Sequence, residues 1–404
     1  MQPGEENESG DRKKRRFLLF WTTLSVFLIT ALILTWYLIW GQFEVSTSDS
    51  YVHGNLVQLN SQIPGIVTEI HAEETQFVKK GQIIIELDRT DPLISFDQSK
   101  ALLGETVREV LKLYQNVESL ASELQVKKAE LIRASWDYTN RLPLVEPGAI
   151  SKQEFEHTTT TLETAKNSLE KTKHDLYAAY ALVQNTNVKT HPKVLEAAER
   201  VKNAYVNLRR CHIRAPTDGI IAMRNVQVGE SIDQTTPLLA IVPLSELWVD
   251  ANFKEVHLKN VRLGQPVLLE ADFYGHRVKY HGNVTGLSAG TGSAFSVLPP
   301  QNATGNWIKI VQRLPVRVDL NPEELIKHPL MVGLSMHTKI DTHDRSGDRI
   351  AQSKAKLTSI YSTDIYPMQE EGADYVISKI IKENSSGLLR DSIAHLDLKE
   401  VFKK

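Results

Sequence analysis

The stretch FDQSKALLGETVREVLKLYQNVESLASELQVKKAELIRASWDY, residues 96–138, decides how this chain folds. Its apolar side chains recur at alternating steps of four and three residues, the spacing of one face of a coiled-coil helix. The spacing predicts one outgoing helix over residues 93–142, about 75 Å long at ~1.5 Å per residue. The positions on the predicted face are Phe96, Lys100, Leu103, Val107, Val110, Tyr114, Val117, Ala121, Leu124, Lys128, Leu131, Ser135 and Tyr138.

Two weaker apolar repeats with the same spacing follow, over residues 155–183 and 194–208. They predict two shorter helices that return beside the first, with a break at residues 185–192. Prolines and a glycine within residues 143–148 end the outgoing helix, and Ser151 with Glu154 has the spacing of a capping box. Residues 92–210 are therefore predicted to form an α-helical coiled-coil hairpin that has no obvious third helix to pack against.

Short strand-like segments flank the hairpin on both sides. Residues 48–91 and 211–243 share one order of features: a glycine before two aliphatic residues, a valine near a second glycine, and a final apolar strand. We interpret them as two halves of one small β-sandwich, an order that resembles the biotinyl/lipoyl carrier fold. Such carriers hold a modified lysine between the halves, where this chain has Asp91 followed by Pro92. Asp91 is instead predicted to cap the outgoing helix.

The N-terminal region contains a candidate membrane anchor. Residues 1–16 form a polar tail that ends in a basic run, and residues 17–40 contain no charged side chain. A helix of that length spans the ~30 Å hydrocarbon core of a bilayer. A buried core helix rarely stays uncharged for so long, and a signal peptide has a shorter apolar region with a small-residue cleavage site. We predict a single-pass anchor with its N-terminus in the cytoplasm and the bulk of the chain outside.

Strand-like segments with Gly and Pro between them return after the hairpin. They predict a small antiparallel β-barrel over residues 244–340. Between two of its strands lies a Gly/Pro/Asn-rich segment, residues 290–309, and so long a connection is typical of a binding or docking element. Residues 341–404 are a polar C-terminal tail in which residues 375–382 have the spacing of a short amphipathic helix. The fold class predicted from the whole chain is multidomain α+β.

Composition excludes several classes of function. The formal net charge is -2, which argues against nucleic-acid binding, because that needs a basic face. The one cysteine, Cys211, cannot form an internal disulfide. His276 and His281 lie on either side of a predicted β-hairpin, but no further spacing completes a four-ligand metal site. No catalytic constellation is recognisable, so we predict a protein that is not an enzyme and binds no metal or cofactor.

The order of anchor, split β-sandwich, hairpin and barrel resembles the membrane fusion protein family, also called the HlyD family. Two runs most resemble its EmrA-type multidrug-resistance adaptors: LWVDANFKE at residues 247–255, and the segment from Thr291 through Trp307 to Arg317. The resemblance implies a periplasmic adaptor in the inner membrane of a Gram-negative bacterium. It further implies three partners: a drug:proton antiporter of the major facilitator class, an outer-membrane channel similar to TolC, and further copies of the adaptor itself.

The resemblance also points to docking residues. Many relatives carry Arg at the hairpin tip, Leu four residues on and Ser seven further; this chain matches the last two, but its Arg stands one step late. A shift by one residue turns a helical side chain by about 100°. The candidate tip residues are Asn140, Arg141, Leu144, Ile150 and Ser151. The candidate residues for assembly or substrate contact in the barrel loop are Phe295, Gln301, Asn302, Asn306, Trp307 and Arg313.

Three alternatives remain open. An adaptor of a type I protein-secretion system shares the whole architecture, and a neighbouring gene for an ATPase rather than an antiporter would favour it. A lipoyl or biotin carrier predicts a covalent addition in the intact mass. A passive envelope scaffold predicts that deletion leaves drug sensitivity unchanged. For Phe295 and Trp307, packing within the barrel is the alternative to substrate contact.

Overall fold

The computed structural model describes residues 8–39, 43–146, 149–292, 294, 311–350 and 361–385. The α-helices within these ranges are α1 (Glu8–Ile39), α2 (Thr90–Arg141), α3 (Lys152–Ala181), α4 (Pro192–Arg210), α5 (Pro322–Lys327) and α6 (Ala373–Ser385). The strands are β1 (Glu44–His53), β2 (Val57–Asn60), β3 (Gly65–Ile70), β4 (Phe77–Val78), β5 (Ile83–Leu87), β6 (His212–Arg214), β7 (Gly219–Arg224), β8 (Ser231–Ile232), β9 (Pro237–Val242), β10 (Trp248–Lys254), β11 (Pro266–Ala271), β12 (Lys279–Leu287), β13 (Arg313–Leu320) and β14 (Ser335–Asp341).

The predicted helical hairpin is confirmed. Helix α2 contains 52 residues, which gives a length of about 78 Å, and α3 and α4 return beside it. The return path changes helix near Asn185, whose φ of 58° lies in the left-handed region that Asn tolerates. The buried positions of α2 that fall on the predicted face are Phe96, Leu103, Val107, Val110, Tyr114, Val117, Ala121 and Leu124.

Packing within the hairpin weakens toward its tip. Beyond Leu124, the only buried residue described on α2 is Ala134, and the residue that α3 buries nearest the tip is Thr158. Since Ala and Thr bury little apolar area, the packing energy is concentrated at the end of the hairpin that joins the β-sandwich. That end is called the root below.

The start of α2 differs from the prediction that Asp91 caps it. The helix begins at Thr90, and Oδ1 of Asp88 accepts a hydrogen bond from the backbone N–H of Thr90 at 3.0 Å. Hydrogen bonds from Thr90 lower the pKa of the Asp88 carboxyl. An Asp side chain that bonds the backbone two residues on starts a turn, so the helix begins earlier than Pro92 suggested. Asp91 lies inside the first turn, where its negative charge interacts favourably with the positive end of the helix dipole.

The lipoyl-like β-sandwich consists of two four-stranded sheets, ordered β2-β9-β7-β4 and β6-β5-β3-β8. Each sheet takes strands from both sides of the hairpin, so neither half of the sequence can form the core without the other. Gly81 and Gly229 occupy matching turns, with φ of 82° and 85°, and an L side chain would be strained at either place. The similar order of features in residues 48–91 and 211–243 therefore includes the same glycine-dependent turn, found once in each half of the sandwich.

The predicted barrel is confirmed as a closed six-stranded barrel, ordered β1-β10-β13-β12-β11-β14. One part of the prediction was wrong, because residues 48–53 belong to this barrel and not to the sandwich. Strand β1 pairs with β10 on one side and with β14 on the other, and without it the barrel would have two open edges. Closure removes unpaired strand edges, which explains why the chain completes the barrel with a strand from the far side of the hairpin.

Helix α1 contains the predicted anchor. Its apolar span is Lys14–Thr35, with a mean hydropathy of 2.4, and none of it is buried against the rest of the protein. The helix begins before the basic run rather than after it. One helix in the described part of the chain is thus long and apolar enough to cross a membrane.

The C-terminal region supplies a helix that the sequence had not placed. Helix α6 contains the amphipathic segment predicted at residues 375–382 and packs against α2 and α4 at the root of the hairpin. The expectation that the hairpin has no third helix was therefore wrong. It failed because α6 lies more than 160 residues after α4, so only the fold brings the helices together.

Candidate docking site at the hairpin tip

The tip consists of the end of α2, a 3₁₀ turn over Leu142–Leu144 and the start of α3. The backbone N–H of Ala149 donates to the carbonyl oxygen of Leu144 at 3.1 Å, which closes the turn. Just below it, the rings of Tyr138 and Phe155 lie 5.4 Å apart between centroids and join the two arms. The candidate docking residues therefore project from a turn that is supported on both arms.

Arg141 links the two arms at the tip. Its Nη1 lies 3.5 Å from Oε1 of Glu154 and donates to Oγ1 of Thr158 at 3.2 Å. The side chains of Arg141 and Glu154 are 41% and 52% exposed, so the pair contributes only about 0–1 kcal/mol. The guanidinium is thus positioned by the hairpin while it stays accessible to another protein.

Ser151 is the N-cap of α3, as the Ser-x-x-Glu spacing predicts. Its Oγ accepts a hydrogen bond from the backbone N–H of Glu154 at 3.1 Å. The Glu154 side chain points to Arg141. The cap therefore orients the residue that holds the tip arginine.

The remaining tip candidates form a partly apolar surface. Asn140 and Leu144 are exposed, and Ile150 is half-buried. Leu142, which the sequence argument did not select, is also exposed. Two leucines beside a positioned arginine give the tip the mixed apolar and cationic character of a protein-binding surface.

Sequence reasoning missed two exposed apolar residues lower on α2. Ile132 and Trp136 are 68% and 67% exposed, and they lie four residues apart, so they share one side of the helix. Each stands one position after a residue of the predicted coiled-coil face, Leu131 and Ser135. That offset was the available signal, because an apolar residue beside a completed coiled-coil face must point outward.

The barrel candidates fall into two groups. Phe295, Gln301, Asn302, Asn306 and Trp307 lie outside the described residues. Arg313, the first residue of β13, forms an ion pair with Asp49 on β1, and Asp49 also accepts a hydrogen bond from Nδ2 of Asn252 at 3.3 Å. Arg313 thus ties the C-terminal end of the long loop to β1, the strand that closes the barrel.

A polar groove of ≈ 660 Å³ opens beside Arg313. His276 and His337 line it, and each pairs with a carboxylate: Nδ1 of His276 lies 2.7 Å from Glu270, and His337 lies 3.4 Å from Asp272. The hydrogen bond with His276 lowers the pKa of Glu270. In the part of the chain that the structure describes, no group of three or more His, Cys, Asp or Glu side chains is arranged to hold a metal ion.

His281 lies on the other side of the predicted β-hairpin from His276. The structure gives it a separate partner, since its Nδ1 lies 2.8 Å from Glu324. The two histidines therefore contact different carboxylates at the barrel surface.

Comparison with known proteins then decides the family. A model of the EmrA α-helical hairpin domain matches residues 90–211. The multidrug export protein EmrA of Escherichia coli (strain K12) is 40% identical over 350 residues, which cover 87% of this chain and 89% of that protein. The chain belongs to the EmrA family. Its EmrA relative from Haemophilus influenzae is 38% identical and covers 95% of the chain and 98% of its own length.

A third relative is named for resistance to fatty acids. The fatty acid resistance protein FarA of Neisseria gonorrhoeae is 41% identical over 319 residues, which cover 79% of this chain and 81% of FarA. The solved structure of the periplasmic adaptor protein EmrA covers 74% of this chain and 99% of its own, at 19% identity and a TM-score of 0.38. Because a TM-score of 0.38 is too low to support an assignment, the family assignment rests on the relatives found by sequence.

Proposed function

We propose that this chain is the periplasmic adaptor of a tripartite multidrug efflux pump in a Gram-negative bacterium. The observation that carries the proposal is its similarity, along nearly the whole length of both chains, to proteins named multidrug export protein EmrA. The relative from Haemophilus influenzae aligns over 95% of this chain, far more than the hairpin domain at residues 90–211. The similarity therefore concerns the complete architecture rather than one shared module.

The anchor determines which parts of the adaptor lie at the membrane. Helix α1 crosses the inner membrane with the basic run on the cytoplasmic side. Phe43 follows the end of α1 by four residues, which span at most about 14 Å when extended. The barrel therefore lies at the periplasmic surface of the inner membrane, beside the partner that moves the drug.

The partner in the inner membrane is a drug:proton antiporter of the major facilitator class. A single apolar helix cannot enclose a pathway for a solute, so the adaptor needs a transporter. The adaptor contributes tethering, assembly and sealing. Under this division of roles, we expect the chain to act without catalysis and without a cofactor.

The hairpin connects the pump to an outer-membrane channel similar to TolC. Helix α2 is about 78 Å long and ends at Arg141, and the 3₁₀ turn with Leu142 and Leu144 follows directly. Asn140, Leu144 and Arg141 meet the channel, while Ile150 and Ser151 shape the turn that presents them. Several copies of the adaptor assemble side by side, and the exposed Ile132 and Trp136 provide apolar area for that contact.

The barrel loop provides a second contact region. Phe295, Gln301, Asn302, Asn306, Trp307 and Arg313 take part in assembly or in contact with the substrate. Arg313 is positioned for this role by Asp49.

A type I secretion adaptor is the second candidate function. It would serve an ATP-driven exporter of proteins with the same anchor, hairpin and barrel. The relatives that cover most of this chain are named for resistance and drug export, which favours the efflux function.

The two functions are separated by deleting the gene. We expect the deletion strain to become more sensitive to uncouplers and hydrophobic antibiotics, as measured by minimum inhibitory concentrations. The full chain should restore resistance, and a chain without residues 93–210 should not. Unchanged sensitivity together with the loss of an exported protein from the medium would replace the efflux function with secretion.

A further inference from the structure

The hairpin joins the β-sandwich through two adjacent chain connections. The chain leaves β5 for α2 between Leu87 and Thr90, and returns from α4 to β6 between Arg210 and His212. The two connections lie side by side, since the N–H of Leu87 donates to the carbonyl oxygen of Cys211 at 2.9 Å. Two neighbouring attachment points define an axis, about which a long rigid arm can still turn.

The C-terminal segment, residues 361–385, contacts the sandwich close to these connections. Oδ1 of Asp364 lies 2.8 Å from Nζ of Lys80, in the turn between β4 and β5. Oγ1 of Thr363 donates to the carbonyl oxygen of Pro216 at 2.9 Å, and the next apolar residue, Ile365, is buried. One end of the segment is thus fixed to the sandwich.

The middle of the same segment is fixed to α4. Glu370 lies 2.7 Å from Nζ of Lys202, and the hydroxyl of Tyr205 donates to the carbonyl oxygen of Glu371 at 2.8 Å. Gly372 then turns the chain with a φ of 91°, and a Cβ there would lie 2.8 Å from the Tyr205 hydroxyl. A glycine is required at this turn because a side chain would meet both backbone strain and a collision.

The far part of the segment completes the core of the root. Ala373 and Ile381 of α6 are buried, and Ile381 belongs to the same apolar cluster as Leu103, Val107 and Val201. Val376, Ile377 and Ile380 pack at the edge of that cluster. The root is therefore a three-helix bundle of α2, α4 and α6, whereas the tip is a pair, α2 and α3.

Helix α6 packs tightly against α2 at the end of the bundle. A Cβ built on Gly104 of α2 would lie 3.1 Å from Nδ2 of Asn384, and Arg108 on the next turn donates to Oδ1 of Asn384. The small residue on α2 lets the last turn of α6 lie directly against it. Polar contacts fix the position of the helix, and the buried apolar residues supply most of its affinity.

We propose that residues 361–385 are a brace that fixes the angle between the helical hairpin and the β-sandwich. The segment is attached to both bodies and crosses the axis that the two chain connections leave free. With the brace in place, the arm keeps one direction from root to tip. This holds whatever the protein exports, because it concerns only contacts within the chain.

The test measures the distance between the arm and the sandwich by electron–electron double resonance in the full chain, purified in detergent. Spin labels are placed at Gln125→Cys on α2 and Val228→Cys in the sandwich, both exposed, while the native Cys211 is fully buried. Ile381→Asp removes the brace from its site. Tyr375→Asp is the matched control, because it puts the same charge on an exposed position of α6.

We expect a narrow distance distribution in the parent chain and in Tyr375→Asp, and a broad, shifted one in Ile381→Asp. A chain that ends at residue 350 should lose the narrow distribution in the same way, which covers the case that the Asp variant does not fold. An unchanged narrow distribution in the shortened chain would overturn the brace.

Discussion

Arg141, the last residue of α2, lies 3.5 Å from Glu154 in the first turn of α3, so one ion pair ties the two arms of the hairpin at its tip. The sequence placed this arginine one residue away from the position that many relatives use. The structure shows what its side chain does within the chain: it bridges the arms and remains partly exposed. Its contribution to docking can therefore be separated from its contribution to folding.

Arg141→Ala should abolish drug resistance while it barely changes stability. The exposed pair contributes about 0–1 kcal/mol to the free energy of unfolding, so the midpoint of thermal unfolding should move little. Minimum inhibitory concentrations and thermal unfolding of the same variant check both statements. Lys127→Ala is the control, since it removes a partly exposed α2 ion pair, with Glu130 at 3.0 Å, away from the tip. Resistance equal in the two variants would contradict a docking role.

Ser151→Ala should weaken the start of α3. Loss of an N-cap costs about 0.5–2 kcal/mol, whereas Ser151→Asp should keep the cap and nearly all of that stability. Chemical unfolding of the purified chain measures the difference. Ser122→Ala, in the middle of α2 and exposed, should be neutral or slightly stabilising, because Ala is the better helix former. A loss of the same size at both serines would refute the cap.

Leu176→Ala should strongly destabilise the hairpin. Leu176 is fully buried between the arms, and removal of a buried Leu side chain costs about 2–5 kcal/mol. Leu182→Ala, just beyond α3 and 60% exposed, should stay within about 0.5 kcal/mol of the parent chain. Unfolding monitored by the helical circular dichroism signal distinguishes the two. Equal losses would mean that the arms do not pack along the predicted face.

The ionised Asp233 carboxylate should stabilise the sandwich, and protonation of that carboxylate in acid should remove this contribution to the free energy of unfolding. Hydrogen bonds from Thr235 and Thr236 lower the pKa of its carboxyl from 3.8 to about 2. Because the folded-state pKa lies below the unfolded one, the contribution is complete above about pH 4 and is lost as the pH falls through about 2. Asp233→Asn should lower the thermal midpoint at neutral pH and flatten its decline over that window. Asp175→Asn, at an exposed site on α3, should leave the decline unchanged, and a decline unchanged in Asp233→Asn as well would contradict this account.

Local periodicity was enough to predict the hairpin, but not the pairing of distant strands. Phe96 to Leu124 repeat with a helical period that the buried positions reproduce, because a helix is formed by residues close in sequence. Strand β1 carries no mark of its partners, β10 and β14, which lie some 200 and 290 residues away in the chain. A strand's period indicates a buried face without indicating which sheet covers it.

The tip was predicted only in part, because some of its contacts are local in sequence and others join the two arms. The spacing of Ser151 and Glu154 predicted the helix cap, because a capping box is formed by residues close in sequence. The bridge from Arg141 to Glu154 and Thr158 depends on how two arms meet across a turn, which sequence spacing does not give. Helix α6 was recognisable as an amphipathic helix, but its site against Gly104 and Tyr205 became visible only in the fold.

The most direct test of the adaptor function is drug efflux itself. Cells that lack the chain are loaded with a fluorescent drug, and its loss is followed after energy is restored. The account predicts fast efflux with the full chain and slow efflux with a chain that lacks residues 93–210 but still reaches the membrane. Equal efflux rates with and without the full chain would contradict it.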